Sequence, residues 1–405
     1  MALIDIVNFN ADASCMSSNK WLRNLEGGDD SRFCKLLDSY ISYDRKVNIG
    51  LTGVTIKDLA AFNPEAIEKI NSHPEIFEIL LRTFSHDLSP LRSKNGYILN
   101  LEMGLETINN YFENTVDVFL QNEIMMRNQQ IEIVQNKGIK AVFINPERYN
   151  NDVRTCISRL PFICHGTGNS EILTIPVADN LTSKYLDKLH RIKTKLNWEN
   201  LVDGSNLNIL WRDGESAFLF PRGIEFERMI FDDEKHQNVE RFFISEKIDD
   251  FLKEANIHKD SQVIKHFPQH QLDHWLSDFK MIWLLEHLNQ LERTIDKQTS
   301  VIQKLWLLAI NSDIPASSEK KSIKISVHPD VFLVPNDDIS WEGVIADEKS
   351  LMLTFLRSER FFEGEEYLIL CEELIDGQFS EAEFKQKILK SEEPYLKKVY
   401  SRVIL

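Results

Sequence analysis

The chain has 405 residues, of which 42% are hydrophobic and 27% are charged, with 47 Lys and Arg against 63 Asp and Glu. The resulting net charge of −16 disfavours a nucleic-acid-binding protein and one that attaches to an anionic membrane. The apolar content is sufficient for a sizeable core, which excludes a wholly disordered chain. Glycine (15) and proline (12) are scarce, so collagen-like and low-complexity chains are excluded as well.

The sequence carries no clear targeting signal. Its first residues have no basic segment and place Asp5 within an apolar run, which is a poor signal peptide. Transmembrane helices need about 18–20 consecutive apolar residues, and no stretch reaches that length. The five cysteines are scattered and form no CxxC motif, as is typical of a reducing compartment. We therefore expect a cytoplasmic protein that contacts neither nucleic acid nor a membrane, of undetermined oligomeric state.

Short apolar runs alternate with helical patterns through the first half of the chain. Such alternation predicts parallel β/α units, whose active sites lie at the carboxyl ends of the strands. A mostly helical stretch, a linker at 314–321 and a mixed C-terminal segment follow. The predicted strands are 2–9, 47–52, 77–83, 116–120, 139–144, 172–178, 206–212 and 216–220, and the predicted helices are 31–45, 55–70 (with a break at Pro64), 102–113, 126–137 and much of 237–312.

Polar side chains follow several of these strands, namely Asp12, His86, Glu123 and Asp213. Because the carboxyl ends of parallel strands meet at one edge of a sheet, we expect these side chains to converge on an active site. Each one taken alone could instead cap the helix that follows it, since Asp is a common N-cap residue. The convergence of four such positions favours the functional interpretation.

Glu123 stands at a strand–helix junction beside the apolar residues Ile124, Met125 and Met126. Partial burial would raise the pKa of its carboxyl group, and helix-terminal amides would lower it. Such tuning suits a nucleophile or an acid, whereas a capping role is the structural alternative.

Asp213 and Glu215 flank Gly214 at the end of another predicted strand, next to Trp211 and Arg212. Asp-Gly is also a common hairpin turn, which is the structural alternative. Two carboxylates from different strand ends are the usual arrangement in glycosidases, where one attacks and the other donates and recovers a proton. The Trp211 ring would offer an apolar face to the C–H groups of a sugar.

Over about 1–295 the chain resembles glycoside hydrolase family 57, the retaining α-glucan hydrolases and 4-α-glucanotransferases. The Asp213-Gly214-Glu215 stretch is similar to the family's Asp-Asp-Gly-Glu region, and LQNEIMMRN around Glu123 is similar to its Thr-Glu-Arg-Val-Trp region. Segments 77–91 and 270–292 resemble two further family regions.

The resemblance implies a (β/α)7 TIM-like barrel with an attached helical bundle and a small α+β C-terminal part. The barrel would span 1–235, the helical region 236–312 and the C-terminal segment 313–405. It further implies cleavage or transfer of α-linked glycosides in an oligosaccharide or polysaccharide, with retention. Glu123 would be the nucleophile and Asp213 the general acid/base. Further contributions are implied for Asp273, Trp275 and His287.

The first strand departs from the family's His-x-His-Gln-Pro pattern, because Asn8-Phe9-Asn10-Ala11-Asp12 stands there. We expect Asn10 and Asp12 to bind sugar hydroxyls, which both side chains can do by hydrogen bonding. The alternative is that they only fix the following loop. His86, Trp211 and Glu215 complete the substrate-binding residues predicted near the two carboxylates.

The sequence is also compatible with two other functions. Asp12 and His86 could hold a metal ion, as in polysaccharide deacetylases, but the paired histidines of those enzymes are missing. The altered first strand is also compatible with a degenerate barrel that binds a glycan without turnover. His165, in a loop with two glycines, is a weaker pocket candidate. We expect neither a metal nor a cofactor.

Overall fold

The computed structural model describes residues 2–10, 27–28, 31–149, 160–177, 208–214, 217, 223–235, 237, 239–258, 261–262, 279–310, 367–390 and 399–404. No helix in these ranges is both long and apolar enough to cross a membrane.

One mostly parallel sheet organises the first two thirds of the chain. Its order is β8-β1-β2-β3-β4-β5-β7-β6-β10, and β9 pairs with the first residues of β1. Among these pairs only β6 and β7 are antiparallel. The predicted α/β class with parallel β/α units is confirmed. The strands are β1 (Ala2–Phe9), β2 (Val47–Leu51), β3 (Phe77–Leu81), β4 (Thr115–Phe119), β5 (Ala141–Ile144), β6 (Phe162–His165), β7 (Glu171–Pro176), β8 (Asn208–Asp213), β9 (Glu240–Arg241) and β10 (Ser261–Gln262).

Several helices begin at polar caps. Ser31, Thr52 and Ser93 each accept a hydrogen bond from an amide in the first turn of the helix that follows. The predicted break at Pro64 is confirmed, since one helix ends at Phe62 and the next begins at Pro64. The helices are α1 (Arg32–Ser42), α2 (Gly53–Phe62), α3 (Pro64–Asn71), α4 (Lys94–Tyr111), α5 (Asn128–Asn136), α6 (Gly223–Lys235), α7 (Ile248–His258), α8 (Phe279–Glu292), α9 (Ser300–Ala309), α10 (367–375) and α11 (Glu381–Lys390).

The two faces of the sheet pack into different apolar clusters. On β1, Leu3 and Val7 lie in a cluster with α1 and its neighbours, which we call the outer face. Ile4 and Ile6 alternate to the opposite side and pack with residues such as Val118, which we call the inner face. Both faces are therefore covered, as is typical of parallel sheets.

A buried ion cluster joins β1, β8 and β9 on the outer face. Asp5 is fully buried and lies 3.1 Å from Arg45, 3.2 Å from Arg212 and 3.0 Å from Arg241. Burial raises the pKa of Asp5, but the three guanidinium groups outweigh it and hold that pKa far below its usual value. Arg212, expected near the catalytic carboxylate, therefore has its side chain in this cluster instead.

A third apolar cluster surrounds the fully buried Trp306 and includes residues of α8 to α11. It reaches the sheet domain through Val54 and Phe84. Buried Arg402, in a π-helical turn over Tyr400–Ile404, forms an ion pair with buried Asp58 of α2, with 2.7 Å between Nη2 and Oδ2. The predicted domain boundaries at 235 and 312 stay predictions.

Some local predictions were incomplete or wrong. The helix predicted from residue 102 begins at Lys94. The short strands β6, β9 and β10 were not foreseen. The strand predicted at 216–220 is wrong at its one described residue, because Ala217 is helical. The linker at 314–321 and the strands expected after it lie outside the described residues.

Candidate active site

Asp213 ends β8 on the inner face of the sheet. Ile209 and Trp211, which precede it at every second position, pack against the inner-face cluster, and strand alternation places Asp213 on the same side. Its Oδ1 accepts a hydrogen bond of 3.4 Å from Asn8 Nδ2 of β1. Asp213 is therefore positioned by a side chain of the neighbouring strand.

Gly214 turns the chain directly after Asp213. Its amide donates to the Asn8 carbonyl oxygen at 2.7 Å, and Ala217 N donates to the Gly214 carbonyl oxygen at 3.2 Å. A Cβ atom at Gly214 would lie 2.2 Å from the ring of Phe9, so only glycine fits there. Ala217, the next described residue, is helical, so the second strand that the hairpin alternative requires is not present at that residue.

Glu123 lies in a single 3-10 turn, Asn122–Ile124, after β4. Its φ is 52°, and that of Ile124 is 50°. A positive φ is uncommon for any residue with a side chain and is an outlier for a β-branched one. Three hydrogen bonds hold the turn: Ile124 N to the Gln121 carbonyl oxygen, Met125 N to that of Asn122, and Asn145 N to that of Ile124.

Glu123 does not cap the following helix. Helix α5 begins at Asn128, and its N-cap is Arg127. The exposed fraction of the Glu123 side chain is 19%, while its neighbours Met125 and Met126 are fully buried. The expected partial burial of this carboxylate is confirmed, and the capping alternative is wrong.

Asn122 fixes the turn that carries Glu123. Its fully buried amide nitrogen donates to Thr83 Oγ1 at 2.8 Å, to the Ser85 carbonyl oxygen at 3.1 Å and to Asp87 Oδ1 at 2.8 Å. Its Oδ1 accepts from Arg82 Nη2 at 2.8 Å. The loop after β3 therefore holds the turn after β4 through one amide side chain.

His86 lies in that loop, and its Nδ1 is 3.8 Å from Glu123 Oε1. Burial, followed by the charge of Arg82, holds the pKa of His86 well below 6.5. His86 is consequently neutral at neutral pH.

Asp87, next to His86, has the opposite shift. Burial raises its pKa, although the Arg92 guanidinium and the hydrogen bonds from Ser89 and Asn122 act against the rise. Within the described residues, its Oδ2 accepts no hydrogen bond. Asp87 therefore helps to hold the turn that carries Glu123, because it accepts a hydrogen bond from Asn122.

Gly50 of β2, a strand between β1 and β3, lets side chains that follow β3 and β4 pack closely against its backbone. A Cβ atom at Gly50 would lie 2.6 Å from Leu120 Cδ2, 3.1 Å from Arg82 Cδ and 3.7 Å from Asn8 Oδ1. Asn8 and Arg82, which contact Asp213 and Asn122 respectively, are therefore neighbours on the inner face.

Asn8, Arg82 and Asn122 were missed as functional residues. A signal was present for Asn8, because it shares the period-2 face of Ile4 and Ile6 and so had to be a polar group on a buried surface. The roles of Arg82 and Asn122 depend on contacts between different loops, which the local pattern does not contain.

The remaining predicted residues are only partly described. Asn10 is buried directly after β1, and Trp211 is half-buried on the inner face. Their sugar-binding roles stay predictions. Four further candidates lie outside the described residues: Asp12, Glu215, Asp273 and Trp275.

Two further histidines each lie near a carboxylate, and the contribution predicted for His287 stays a prediction. His165 ends β6, and its Nδ1 lies 3.1 Å from Oε1 of Glu171, its cross-strand partner on β7. His287 of α8 lies 3.8 Å from Glu372 of α10. Within the described ranges, no three His, Cys, Asp or Glu side chains come together as metal ligands.

The chain is similar to known proteins in sequence and in fold. A family model described as Glycosyl hydrolase family 57 matches residues 16–302. A solved branching enzyme of that family from Thermococcus kodakaraensis superposes with a TM-score of 0.61 at 10% identity, covering 99% of this chain and 94% of the other. The 4-alpha-glucanotransferase of Thermococcus litoralis gives 0.57 at 12%, covering 76% of this chain and 55% of the other.

A sequence relative, from Methanocaldococcus jannaschii, bears the provisional name of an alpha-amylase. It is 26% identical over 111 residues, which are 27% of this chain and 24% of that protein. The match thus spans about a quarter of that relative. The two structural likenesses, at such low identity, describe the fold.

Proposed function

Because the chain belongs to glycosyl hydrolase family 57, we propose that it cleaves or transfers α-linked glycosides with retention of configuration. The substrate is an oligosaccharide or a polysaccharide. Glu123 is the nucleophile and Asp213 the general acid/base. The reaction takes place in the cytoplasm, which is consistent with the free, buried thiols of Cys34, Cys164 and Cys371.

The backbone of Glu123 is the observation that carries this proposal. Residues held in the left-handed region cost of order 1–3 kcal/mol and cluster at active sites. In this protein the strained residue is Glu123, the carboxylate that follows β4 at the carboxyl edge of the sheet. The turn directs the charged, partly exposed Glu123 side chain beside His86. An ordinary surface loop would not need a strained backbone to place a side chain.

The reaction proceeds in two steps at this edge. In the first, a Glu123 oxygen attacks the anomeric carbon and forms a glycosyl ester, while Asp213 donates its proton to the leaving oxygen. In the second, Asp213 takes a proton from water or from an acceptor hydroxyl, whose oxygen attacks the same carbon and releases Glu123. Two inversions give net retention.

The surroundings of the two carboxylates suit these roles. A neutral His86 leaves the charge of Glu123 available for attack, whereas an imidazolium at 3.8 Å would pair with it. Asn8 donates to Asp213 and keeps that carboxyl group oriented along the inner face. Asn8 is thus a positioning residue, and the two carboxylates carry the chemistry.

The proposal is tested by following the anomeric configuration of the first product by NMR, with maltooligosaccharides as substrates. An α-configured product that appears before mutarotation, and is lost in Glu123→Gln, supports the proposal. Glu171→Gln is the matched control, because Glu171 is an exposed carboxylate on β7. A β-configured first product, acetate release that chelators abolish, or glycan binding without turnover would each contradict it.

A further inference from the structure

Glu292, the last residue of α8, is a buried carboxylate that the proposed reaction does not use. Its Oε1 accepts hydrogen bonds from Ser93 N at 2.8 Å and from Ser93 Oγ at 3.0 Å. Ser93 is the N-cap of α4, and its Oγ accepts in turn from Gly96 N at 3.2 Å. A carboxylate is stabilised at a helix N-terminus, where the backbone amides carry partial positive charge. A side chain of α8 therefore fixes the first turn of α4.

The contact between α8 and α4 depends on a glycine and on a second charged group. A Cβ atom at Gly96 would overlap Glu292 Oε1 and would lie 2.9 Å from Cη2 of Trp306, so a larger residue would displace the carboxylate. On its other side, Glu292 Oε2 lies 3.7 Å from Nη1 of Arg92, whose side chain is 1% exposed. One carboxylate thus holds both Arg92 and Ser93, the last two residues before α4.

One route from this contact to the candidate nucleophile runs through α4. Tyr97, which follows Gly96, is buried and donates from its hydroxyl group to Gln121 Oε1 at 3.0 Å. The Gln121 carbonyl oxygen accepts from Ile124 N at 3.0 Å, which closes the turn that carries Glu123. Two hydrogen bonds therefore join the first turn of α4 to the backbone on both sides of Glu123.

A second route runs through the loop after β3. Arg92 N donates to the Ser89 carbonyl oxygen at 3.1 Å, and Ser89 Oγ donates to Asp87 Oδ1 at 2.6 Å. The same Asp87 oxygen accepts from Asn122 Nδ2 at 2.8 Å. Because Asn122 directly precedes Glu123, this route also ends at the strained turn.

We propose that Glu292 is a positioning residue for the nucleophile, which it holds in place through both routes. The inference rests on the proposed function, in which Glu123 attacks the anomeric carbon. A residue in the left-handed region persists only where its surroundings over-determine it. Without Glu292, the two routes lose their common fixed end, and the Glu123 carboxylate moves away from the anomeric carbon. A displacement of about 1 Å can cost about 100-fold in rate, so the chemical step should slow.

The test is steady-state kinetics of Glu292→Ala and Glu292→Gln with maltooligosaccharides, together with their unfolding midpoints in urea. In Glu292→Ala we expect kcat to fall about tenfold or more and KM to change by less than about twofold. Glu292→Gln should recover part of kcat, because its amide oxygen still accepts from Ser93.

Two controls on α8 separate positioning from a general loss of stability. Glu286 is exposed, so Glu286→Ala should leave both kcat and the unfolding midpoint unchanged. Leu284 is 1% exposed in the cluster around Trp306, so Leu284→Ala should lower the midpoint but keep kcat wherever the protein is folded. If the wild type turns over and Glu292→Ala keeps its kcat, or if Leu284→Ala loses kcat to the same extent, the inference is overturned.

An NMR measurement tests the same link without turnover. The ring of His86 lies in the loop after β3 beside Glu123, and its signal is identified by its absence in His86→Asn. Glu292→Ala should move this signal, whereas Leu284→Ala should not. An unmoved signal in Glu292→Ala, or an equal movement in Leu284→Ala, would also overturn the inference. A wild-type chain without retaining turnover instead contradicts the proposed function, and the His86 signal then still reports whether Glu292 holds the loop.

Discussion

Glu123 combines a charged side chain with a backbone conformation that favours glycine. At ordinary positions, replacing Gly with Ala stabilises a protein by about 0.4–1 kcal/mol. Because the φ of Glu123 is 52°, we expect alanine to be less stable than glycine at this position. Glu123→Gly should have a free energy of unfolding about 1 kcal/mol higher than Glu123→Ala, because glycine avoids the left-handed strain. Urea unfolding of both variants measures this difference.

Both variants should also lose turnover, by at least about three orders of magnitude in kcat. The same pair of substitutions at Glu102, on the exposed side of α4, is the control and should follow the usual helical order, with alanine more stable. If Glu123→Ala is the more stable variant of its pair, the turn relaxes without cost and the strain argument fails.

The lowered pKa of His86 predicts that the free energy of unfolding falls in acid. Because its pKa in the folded protein lies well below 6.5, the unfolded chain binds one more proton than the folded chain below that pH. The folded state therefore loses up to about 1.4 kcal/mol per pH unit from this group as the pH falls from about 6.5. In His86→Asn this contribution should vanish. Urea unfolding from pH 7 to 5 checks it.

The neighbouring Asp87 acts in the opposite direction. Because its pKa is raised in the folded protein, the folded state binds more protons at Asp87 than the unfolded state does just above pH 3.8. The contribution of Asp87 to the free energy of unfolding therefore weakens as the pH rises. Since Asp87 is present in both proteins, the difference between wild type and His86→Asn isolates the histidine. Parallel pH profiles for the two would show that His86 titrates normally.

The contact between Asn8 and Asp213 predicts that substitution of Asn8 shifts the pH dependence of activity. Asn8→Asp places a second carboxylate where the amide now lies 3.4 Å from Asp213 Oδ1. Like charges at that distance raise a carboxyl pKa, so the alkaline limb of kcat/KM should move up by about one unit or more. Asn8→Ala is the control, with a smaller shift. An unmoved alkaline limb in Asn8→Asp would exclude Asp213 as the acid.

Helix α4 contacts the loop after β3 through a glycine. A Cβ atom at Gly104 would lie 2.3 Å from the Arg82 carbonyl oxygen and 2.5 Å from Phe84 N. Because backbone atoms cannot rotate away, Gly104→Ala should cost about 2–3 kcal/mol of unfolding free energy. It should also lower kcat, since the loop holds Asn122. Urea unfolding and initial rates measure both effects.

The control for the helix is Asn109→Ala, an exposed position of α4, where a small gain from helix propensity is expected. If Gly104→Ala is as stable as Asn109→Ala, the contact between helix and loop is looser than described.

At the scale of elements, long apolar strands were predictable and very short strands were not. Segments such as β1 and β3 are buried along nearly their whole length, and such runs bounded by polar residues indicate parallel strands. By contrast, β9 and β10 have two residues each, too few for any periodicity. Their pairing depends on neighbours that are distant in the sequence.

At the scale of the whole molecule, a buried ion pair attaches the C-terminal turn to the sheet domain. Asp58 and Arg402 are both fully buried. Arg402→Met should cost about 3–5 kcal/mol, because it leaves an unpaired buried carboxylate. Adding Asp58→Leu should recover much of that loss. Urea unfolding of the single and double variants measures both values.

The exposed pair of Lys140 and Asp117 is the matched control, since 68% and 54% of these side chains are exposed. Lys140→Met should change stability by less than about 1 kcal/mol. A similarly small effect for Arg402→Met would show that the C-terminal turn contributes little to the stability of the sheet domain.

The sequence indicated two carboxylates at strand ends as candidates, but not the contacts that hold them. Glu123 and Asp213 were candidates because each lies at or just after the end of a strand, and parallel strands share one carboxyl edge. Their catalytic roles stay predictions. The strained turn at Glu123 and its support by Asn122 could not be foreseen, because no local residue pattern requires them. Arg212 was misplaced because strand alternation directs it to the outer face, where Asp5 binds it.

The nucleophile is the central claim, and covalent trapping tests it most directly. A 5-fluoroglycosyl fluoride of the cleaved sugar should slow the second step and leave a glycosyl ester on the enzyme. Mass spectrometry of the digested protein is expected to find the added mass on the peptide that contains Glu123, and Glu123→Gln should remain unlabelled. A label on any other carboxylate, or steady turnover of substrate without any label, would contradict the account.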